Sequence, residues 1–142
     1  MQIRRLEAAD YDEIVNLWSI SNLPYKPKGR DSREAIAAEM KLNPDFFLGA
    51  FDEEHLIGVG VVSCDSRKGW INRLAVHPDC RRRGIAVDLI DECESVIRKR
   101  GLRLFCALIE ESNGPSIRLF KKRGYVEHRD ILYFCKREND DV

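Results

Sequence analysis

The sequence predicts a single α/β domain with a mixed, mostly antiparallel sheet and helices on both faces. Its 142 residues, 44% hydrophobic and 34% charged, suit one domain with one core. Three apolar segments in the middle of the chain are joined by short polar turns, which is typical of an antiparallel meander. A strand–helix–strand crossover follows, and such a crossover makes its two strands parallel.

The first elements are a short strand and a helix. We expect the strand at Ile3 to Leu6. Asp10 and Glu13 have the spacing of a capping box, which predicts the start of the first helix. Pro24 ends this helix. Its expected inner face carries Ile14, Leu17, Trp18 and Ser21.

A polar loop and a second helix come next. The loop Leu23 to Arg30 is rich in proline, glycine and charge, which is typical of irregular structure. The second helix is expected to begin near Asp31 or Ser32 and to end before Pro44.

The middle of the chain predicts three strands joined by turns. They are Phe46 to Phe51, Leu56 to Cys64 and Trp70 to Val76. Gly58 and Gly60 interrupt the second strand, and such glycines indicate a bulge or a close backbone contact.

The third helix is expected from Ile85 to about Arg100. The helix dipole favours cations at the C-terminal end, where this helix carries Arg98, Lys99 and Arg100. Gly101 suits the left-handed residue after the cap. Its apolar stripe consists of Leu89, Ile90, Cys93, Val96 and Ile97. The segment Leu102 to Ile109 is predicted to be a buried strand.

The C-terminal part predicts a short helix and two more strands. Pro115 fits the first turn of the helix, and Gly124 marks its end. We expect strands at Tyr125 to Arg129 and at Ile131 to Lys136, followed by a frayed tail.

Composition limits the possible partners and compartments. The formal net charge is zero, so bulk charge indicates neither a nucleic-acid nor a membrane partner. The five cysteines include no C-x-x-C pair, which argues against a zinc site and a disulfide framework. The first residues lack an apolar signal-peptide core. Free thiols then suggest a cytoplasmic protein without a metal site.

The segment from Leu74 to Val87 carries the strongest chemical signal. A strand, a Pro-Asp turn, three arginines and a glycine lead into a helix. A helix N-terminus presents unpaired N–H groups and partial positive charge, so it binds phosphate. Gly84 allows close approach, and the small Ala86 keeps the first turn open. The alternative is a solvated basic turn before an ordinary helix.

Two motifs resemble those of the GNAT superfamily of N-acetyltransferases. Residues 74–86 (L-A-V-H-P-D-C-R-R-R-G-I-A) resemble its acyl-CoA pyrophosphate motif. Asn113, followed by residues 119–125 (L-F-K-K-R-G-Y), resembles its second motif. The order of helices and strands also fits. The resemblance implies a GNAT-like domain over residues 1–137, with 138–142 as the tail.

The resemblance also implies how acetyl-CoA, the acyl donor, is bound. The backbone of Leu74, Ala75 and Val76 would pair with the pantetheine arm like an added strand. The Val76 N–H would polarise the thioester carbonyl. The other implied residues would hold the pyrophosphate or lie near the pantetheine and the thiol: Arg81, Arg82, Arg83, Gly84, Ile85, Ala86, Val87, Asn113, Phe120 and Lys122.

The proton-transfer residues depart from the family pattern. Many members use a tyrosine as the acid where this chain has Phe120, which cannot donate a proton. Some members carry a basic glutamate near the start of the fourth strand, but Trp70 to Arg73 contains no carboxylate. Other members carry it on the fifth strand, at the position of Leu108. Because strand alternation puts Glu110 on the same face, the resemblance favours Glu110 as the base, directly or through a water. Tyr125 as the acid and His77 as the base remain alternatives.

The predicted reaction is direct transfer of an acetyl group from acetyl-CoA to a primary amine in a ternary complex. A small-molecule or protein amine would serve as the acceptor. The resemblance places the loop Leu23 to Arg30 where family members build substrate walls, and the alternative is that its charged residues are surface decoration. Two alternatives remain: a non-catalytic acyl-CoA-binding or sensor module, and a nucleic-acid binder using basic clusters such as Arg81 to Arg83. The neutral net charge and the lack of a recognised module argue against the latter. A homodimer could form through the sheet edge or the last strands.

Overall fold

Nine helices and strands make up the regular structure. The computed structural model describes residues 1–142. In chain order the elements are β1 (Gln2–Arg5), α1 (Tyr11–Ile20), α2 (Arg33–Leu42), β2 (Phe47–Asp52), β3 (His55–Cys64), β4 (Gly69–Val76), α3 (Ile85–Lys99), β5 (Phe105–Cys106) and α4 (Gly114–Lys122). Short 3-10 turns, Ala8–Asp10 and Pro78–Cys80, precede α1 and α3. No helix combines the length and the apolar character needed to cross a bilayer.

The five strands form one sheet in the order β1-β2-β3-β4-β5. The first four are antiparallel neighbours. β4 and β5, which flank the crossover through α3, run parallel. These pairings confirm the predicted mixed, mostly antiparallel sheet.

Helices cover both faces of the sheet, as predicted. A Cβ atom added to Gly58 or Gly60 would lie 2.9 Å from a side-chain atom of Leu89 or Cys93, so α3 approaches β3 too closely for any larger residue. Because side chains alternate along a strand, Val59 points to the opposite face. On that face α1 contacts β3 and β4. The buried stripe of α3 contains all five predicted residues, together with Ile85.

The start of the first helix differs from the prediction. The capping box joins Glu7 to Asp10. The Glu7 N–H donates to the Asp10 carboxylate at 2.7 Å, and Arg4 pairs with the same group at 3.1 Å. Glu13 instead accepts a hydrogen bond from the Leu56 N–H at 3.2 Å. The predicted box was therefore wrong. Glu7/Asp10 and Asp10/Glu13 both have the required spacing, but only Glu7/Asp10 forms the capping-box hydrogen bonds.

The C-terminal strands also differ from the prediction. The predicted strand over residues 102–109 forms ladder pairs only at Phe105 and Cys106. The two predicted later strands, over 125–129 and 131–136, are not strands in this structure. No backbone ladder pairs with them, although their apolar pattern suits a sheet. The following residues are left 69–86% exposed: Val126, Ile131, Leu132, Tyr133 and Phe134.

Candidate acyl-CoA site

The first feature of the site is the start of α3, which lacks a side-chain cap. Gly84 occupies the N-cap position with φ +76°, and no side chain accepts a hydrogen bond there. The helical bonds begin with the Asp88 N–H, which donates to the Gly84 carbonyl at 3.1 Å. The N–H groups of Ile85, Ala86 and Val87 precede that bond and have no intrahelical acceptor. Gly84 is exposed, and a Cβ atom added to it would meet nothing within 4 Å, so the N-cap position is open.

The three arginines before this helix have different surroundings. The Arg83 guanidinium pairs with the Asp52 carboxylate at 3.1 Å. The Arg81 Nε lies 3.5 Å from the Val76 carbonyl oxygen. Arg82 has a left-handed backbone with φ +65° and an exposed side chain. Of the three, Arg82 is the one whose charge is committed neither to a carboxylate nor to β4.

The second feature is the edge of β4 that faces away from β3. β5 pairs with β4 only at Gly69 and Trp70, so the later residues of β4 have no strand hydrogen-bonded on that side. On the β3 side, the His77 N–H donates to the Ile57 carbonyl at 2.8 Å. Antiparallel pairs alternate between bonded and non-bonded. The backbone groups of Val76 therefore point toward the free edge.

The same alternation assigns the neighbouring predicted residues of β4. Ala75 lies opposite Val59, in a pair whose backbone groups face each other. Leu74, two residues before Val76, faces the free edge with it. The predicted strand-like pairing with a ligand thus has Leu74 and Val76 as its available backbone partners, while Ala75 holds that segment to β3.

The residues of the second motif lie around the start and the inner face of α4. The Asn113 side-chain oxygen accepts a hydrogen bond from the Ser116 N–H at 3.3 Å and caps the helix. Its side-chain amide group remains available as a donor. Phe120 is buried and packs edge-on against Tyr125, with ring centroids 4.9 Å apart. Lys122 is exposed in the last turn.

Comparison with known proteins identifies the family. Residues 11–125 match the acetyltransferase (GNAT) family. The chain belongs to the GNAT family. It is 31% identical over 138 residues to an acetyltransferase of Photorhabdus laumondii, covering 96% of this chain and 95% of that one. It is 30% identical over 141 residues to an acetyltransferase of Sodalis glossinidius, covering 99% and 98%.

Solved structures share the GNAT fold with this chain. The PaiA N-acetyltransferase of Thermoplasma acidophilum in complex with coenzyme A superposes with a TM-score of 0.76 at 20% identity, covering 86% of this chain and 87% of that one. The aminoglycoside N-acetyltransferase AAC(6')-Iy in complex with CoA gives 0.74 at 20% identity, covering 96% and 99%. At this level of identity, the similarity shows a common fold.

The predicted base of this GNAT domain lies just before α4. Glu110 is exposed, and its backbone carbonyl accepts a hydrogen bond from the Asn113 N–H at 2.9 Å. The last ladder pair between β4 and β5 joins Trp70 to Cys106, so Glu110 comes four residues after the paired part of β5.

The alternative acid and base are both engaged in structural hydrogen bonds. The Tyr125 hydroxyl donates to the Glu94 carboxylate at 2.7 Å. Burial, with the hydrogen bond to Glu94 and the charge of that carboxylate, raises the Tyr125 pKa well above its usual value. The His77 Nδ1 accepts a hydrogen bond from the Asp79 N–H at 3.1 Å. No group of three or more His, Cys, Asp and Glu side chains is arranged to hold a metal ion.

Sequence analysis missed a charged cluster beside the β4 edge. Arg73 binds the Asp31 carboxylate with both terminal nitrogens. Glu39 of α2 lies near this pair. Burial, together with the Asp31 charge, raises the Glu39 pKa, while Arg73 opposes the shift. The three residues are far apart in the chain, and no local spacing links them. The absence of a partner for Arg73 within its own strand was the only available signal.

Proposed function

We propose that this GNAT protein transfers the acetyl group of acetyl-CoA to a primary amine by direct attack in a ternary complex. One observation carries the proposal: the free edge of β4 leads through residues 77–84 into the uncapped start of α3. An extended arm could pair with the free edge of β4 while a diphosphate accepts hydrogen bonds at the start of α3. Acetyl-CoA joins these two chemical groups in one molecule and is the proposed acyl donor.

The binding roles follow from the directions of the backbone groups. Leu74 and Val76 pair with the pantetheine arm, and the Val76 N–H donates to the thioester oxygen, where negative charge develops during attack. The N–H groups of residues 82–87 hold the pyrophosphate, and Arg82 adds positive charge. Asn113 uses its side-chain amide as a donor to the pantetheine. Arg81, Phe120 and Lys122 complete the proposed binding surface.

The proposed chemistry assigns one proton to Glu110. The amine nitrogen forms a bond to the carbonyl carbon, the carbon–sulfur bond breaks, and CoA leaves as a thiolate. The proton lost by the nitrogen passes to the Glu110 carboxylate, directly or through a water. Phe120 supplies no acid. Because thiols have pKa values of about 8.5, the thiolate is an acceptable leaving group without one.

A non-catalytic acyl-CoA-binding or sensor module is the alternative function. It shares the binding features and is favoured by the burial of Phe120 at the position where many family members carry a tyrosine. The exposure of Glu110 also favours it, because an active site that excludes water is expected to shelter its general base. The two functions predict the same affinity for acetyl-CoA, but only the first predicts turnover.

The test measures binding and turnover separately. Acetyl-CoA at a concentration far above its dissociation constant should raise the melting temperature, because it binds only the folded state. Free thiol should then appear when a panel of small amines, polyamines, lysine peptides and peptides with free N-termini is added. No shift at millimolar acetyl-CoA contradicts both functions. A shift without thiol release across the panel supports the sensor module.

We also propose a compartment and a domain range. The five cysteines are all unpaired, which suits the reducing cytoplasm. The acetyltransferase domain is proposed to span residues 1–137, with 138–142 as a tail that makes only peripheral contacts, such as that of the Asp140 carbonyl with Lys26 Nζ at 2.7 Å.

A second copy of the chain is the proposed protein partner. Each chain carries exposed apolar side chains at Val126 and over residues 131–134, together with the short edge strand β5. Two copies could pair these surfaces reciprocally around a twofold axis. Sedimentation should show a dimer that Phe134→Lys dissociates. A monomer at all concentrations contradicts this proposal without affecting the proposed reaction.

A further inference from the structure

We propose that Asp31 and Arg73 are positioning residues, which fix the bulge of β4 and thereby align Leu74 and Val76 with the acyl-CoA arm. This inference rests on the proposed function, because it assigns the purpose of the ion pair to that binding edge. The pair lies 42 residues apart in the sequence and joins the end of the polar loop to the middle of β4.

The bulge is the first step of the argument. Asn72 lies opposite Val61, and Ala75 lies opposite Val59. Two residues of β4, Arg73 and Leu74, therefore face the single residue between those partners. Arg73 has a left-handed backbone with φ +45°, which is unfavourable for a residue with a side chain. Interactions outside the ladder must hold this conformation.

The Arg73 side chain provides these interactions. Its two terminal nitrogens bind the two carboxylate oxygens of Asp31, one of them at 2.6 Å. The side chains are only 19% and 6% exposed. The guanidinium carbon also lies 4.6 Å from the centroid of the Trp18 ring. A planar, two-pronged donor on a buried carboxylate fixes both position and orientation.

Asp31 is itself held by hydrogen bonds to the polar loop and to α1. Its carboxylate accepts a hydrogen bond from the Lys26 N–H at 2.7 Å. Its backbone carbonyl accepts one from the Tyr11 hydroxyl at 2.6 Å. The bulge is therefore tied to α1 and to the polar loop. Leu74 directly follows Arg73, so any rotation of the bulge turns the backbone groups that face the proposed ligand.

Stability alone does not explain this pair. A buried ion pair is weak support for folding, because removing its charges from water offsets much of their attraction. We assign the pair the role of fixing the backbone geometry. It does so at the point where the ladder of β3 and β4 is interrupted, immediately before the free edge of β4.

The experiment compares two ligands in the full-length protein. One is acetyl-CoA, and the other is 3'-phosphoadenosine 5'-diphosphate, its nucleotide part without the pantetheine arm. Dissociation constants are measured by calorimetry for Asp31→Asn, Arg73→Met and Arg73→Lys. Asp12→Asn and Arg33→Met are the matched controls, because that ion pair spans 2.6 Å but is exposed, with Arg33 lying over Tyr11.

Asp31→Asn and Arg73→Met should weaken acetyl-CoA binding by about tenfold or more, equivalent to about 1.4 kcal/mol. Binding of the nucleotide should remain unchanged, because it uses the start of α3. Arg73→Lys should retain part of the acetyl-CoA affinity, since it keeps the charge and loses the two-pronged geometry. The two control variants should bind both ligands as the wild type does.

Equal losses for both ligands, or no loss for acetyl-CoA, would overturn the inference. If Asp31→Asn or Arg73→Met fails to fold, the inference is tested with Arg73→Lys, by the same comparison of its affinities for acetyl-CoA and for the nucleotide. Failure of the proposed acyl-CoA site is distinguishable, because the wild-type protein would then bind neither ligand.

Discussion

The starts of α3 and α4 have the same position after a parallel strand but opposite hydrogen-bonding states. At α4, Asn113 accepts the Ser116 N–H, and Pro115 has no N–H to satisfy. At α3, Gly84 offers no side chain, and the first-turn N–H groups remain free. α4 satisfies a first-turn donor with its own cap, whereas α3 leaves its first donors without a side-chain partner. This difference is the reason for proposing the diphosphate at the start of α3.

The largest expected effect follows from placing a carboxylate at the open start. Gly84→Glu should abolish acetyl-CoA binding, with at least about a hundredfold loss in affinity, because its carboxylate occupies and repels the diphosphate position. The measurement is calorimetric titration. Gly101→Glu is the matched control, since Gly101 also has a positive φ with nothing within 4 Å of an added Cβ, but lies after the C-terminal end of the same helix. Retained affinity in Gly84→Glu contradicts the phosphate site.

The two helix starts were predictable from local sequence. Gly84 before an apolar helical stripe and Pro115 in a first turn each indicate where a helix begins, but the cap made by Asn113 was not predicted. The parallel pairing of β4 and β5 followed from the crossover, that is, from the order of consecutive elements.

The features that were missed depend on partners distant in the chain. The Asp31–Arg73 pair joins segments that no spacing rule connects. The apolar residues within 125–136 led to the prediction of two strands that the structure does not contain. A strand also needs a neighbouring backbone, and β5 is only two residues long.

The second prediction tests the chemistry assigned to the α4 side. Glu110→Gln should lower turnover by about a hundredfold, the lower range for a general base, and leave acetyl-CoA affinity unchanged. Thiol release with the best amine of the panel gives the rate, and calorimetry gives the affinity. Glu111→Gln, the adjacent exposed carboxylate, should retain full activity. Unchanged turnover in Glu110→Gln would remove Glu110 from the mechanism.

The third prediction concerns the capped helix. Asn113→Ala should destabilise the protein by about 1 kcal/mol through loss of the cap, measured by urea unfolding. Ser32→Ala is the matched control, because Ser32 caps α2 in the same way by accepting the Ala35 N–H at 3.1 Å. Both variants should lose similar stability, but only Asn113→Ala should also weaken acetyl-CoA binding. Equal affinities in the two variants would limit Asn113 to capping.

The smallest effect distinguishes the arginines at the open helix start. Arg82→Ala should weaken acetyl-CoA binding by about two- to fivefold, the size expected for an exposed charge. Arg83→Ala should reduce the acetyl-CoA affinity less than Arg82→Ala does, because Asp52 already neutralises the Arg83 guanidinium. Asp52→Asn should release Arg83 and strengthen binding slightly, and added salt should reduce all three differences. Lys99→Ala, at the far end of α3, is the control for net charge. A larger loss for Arg83→Ala than for Arg82→Ala would mean that the ligand displaces Asp52, and that this end of the helix rearranges when it binds.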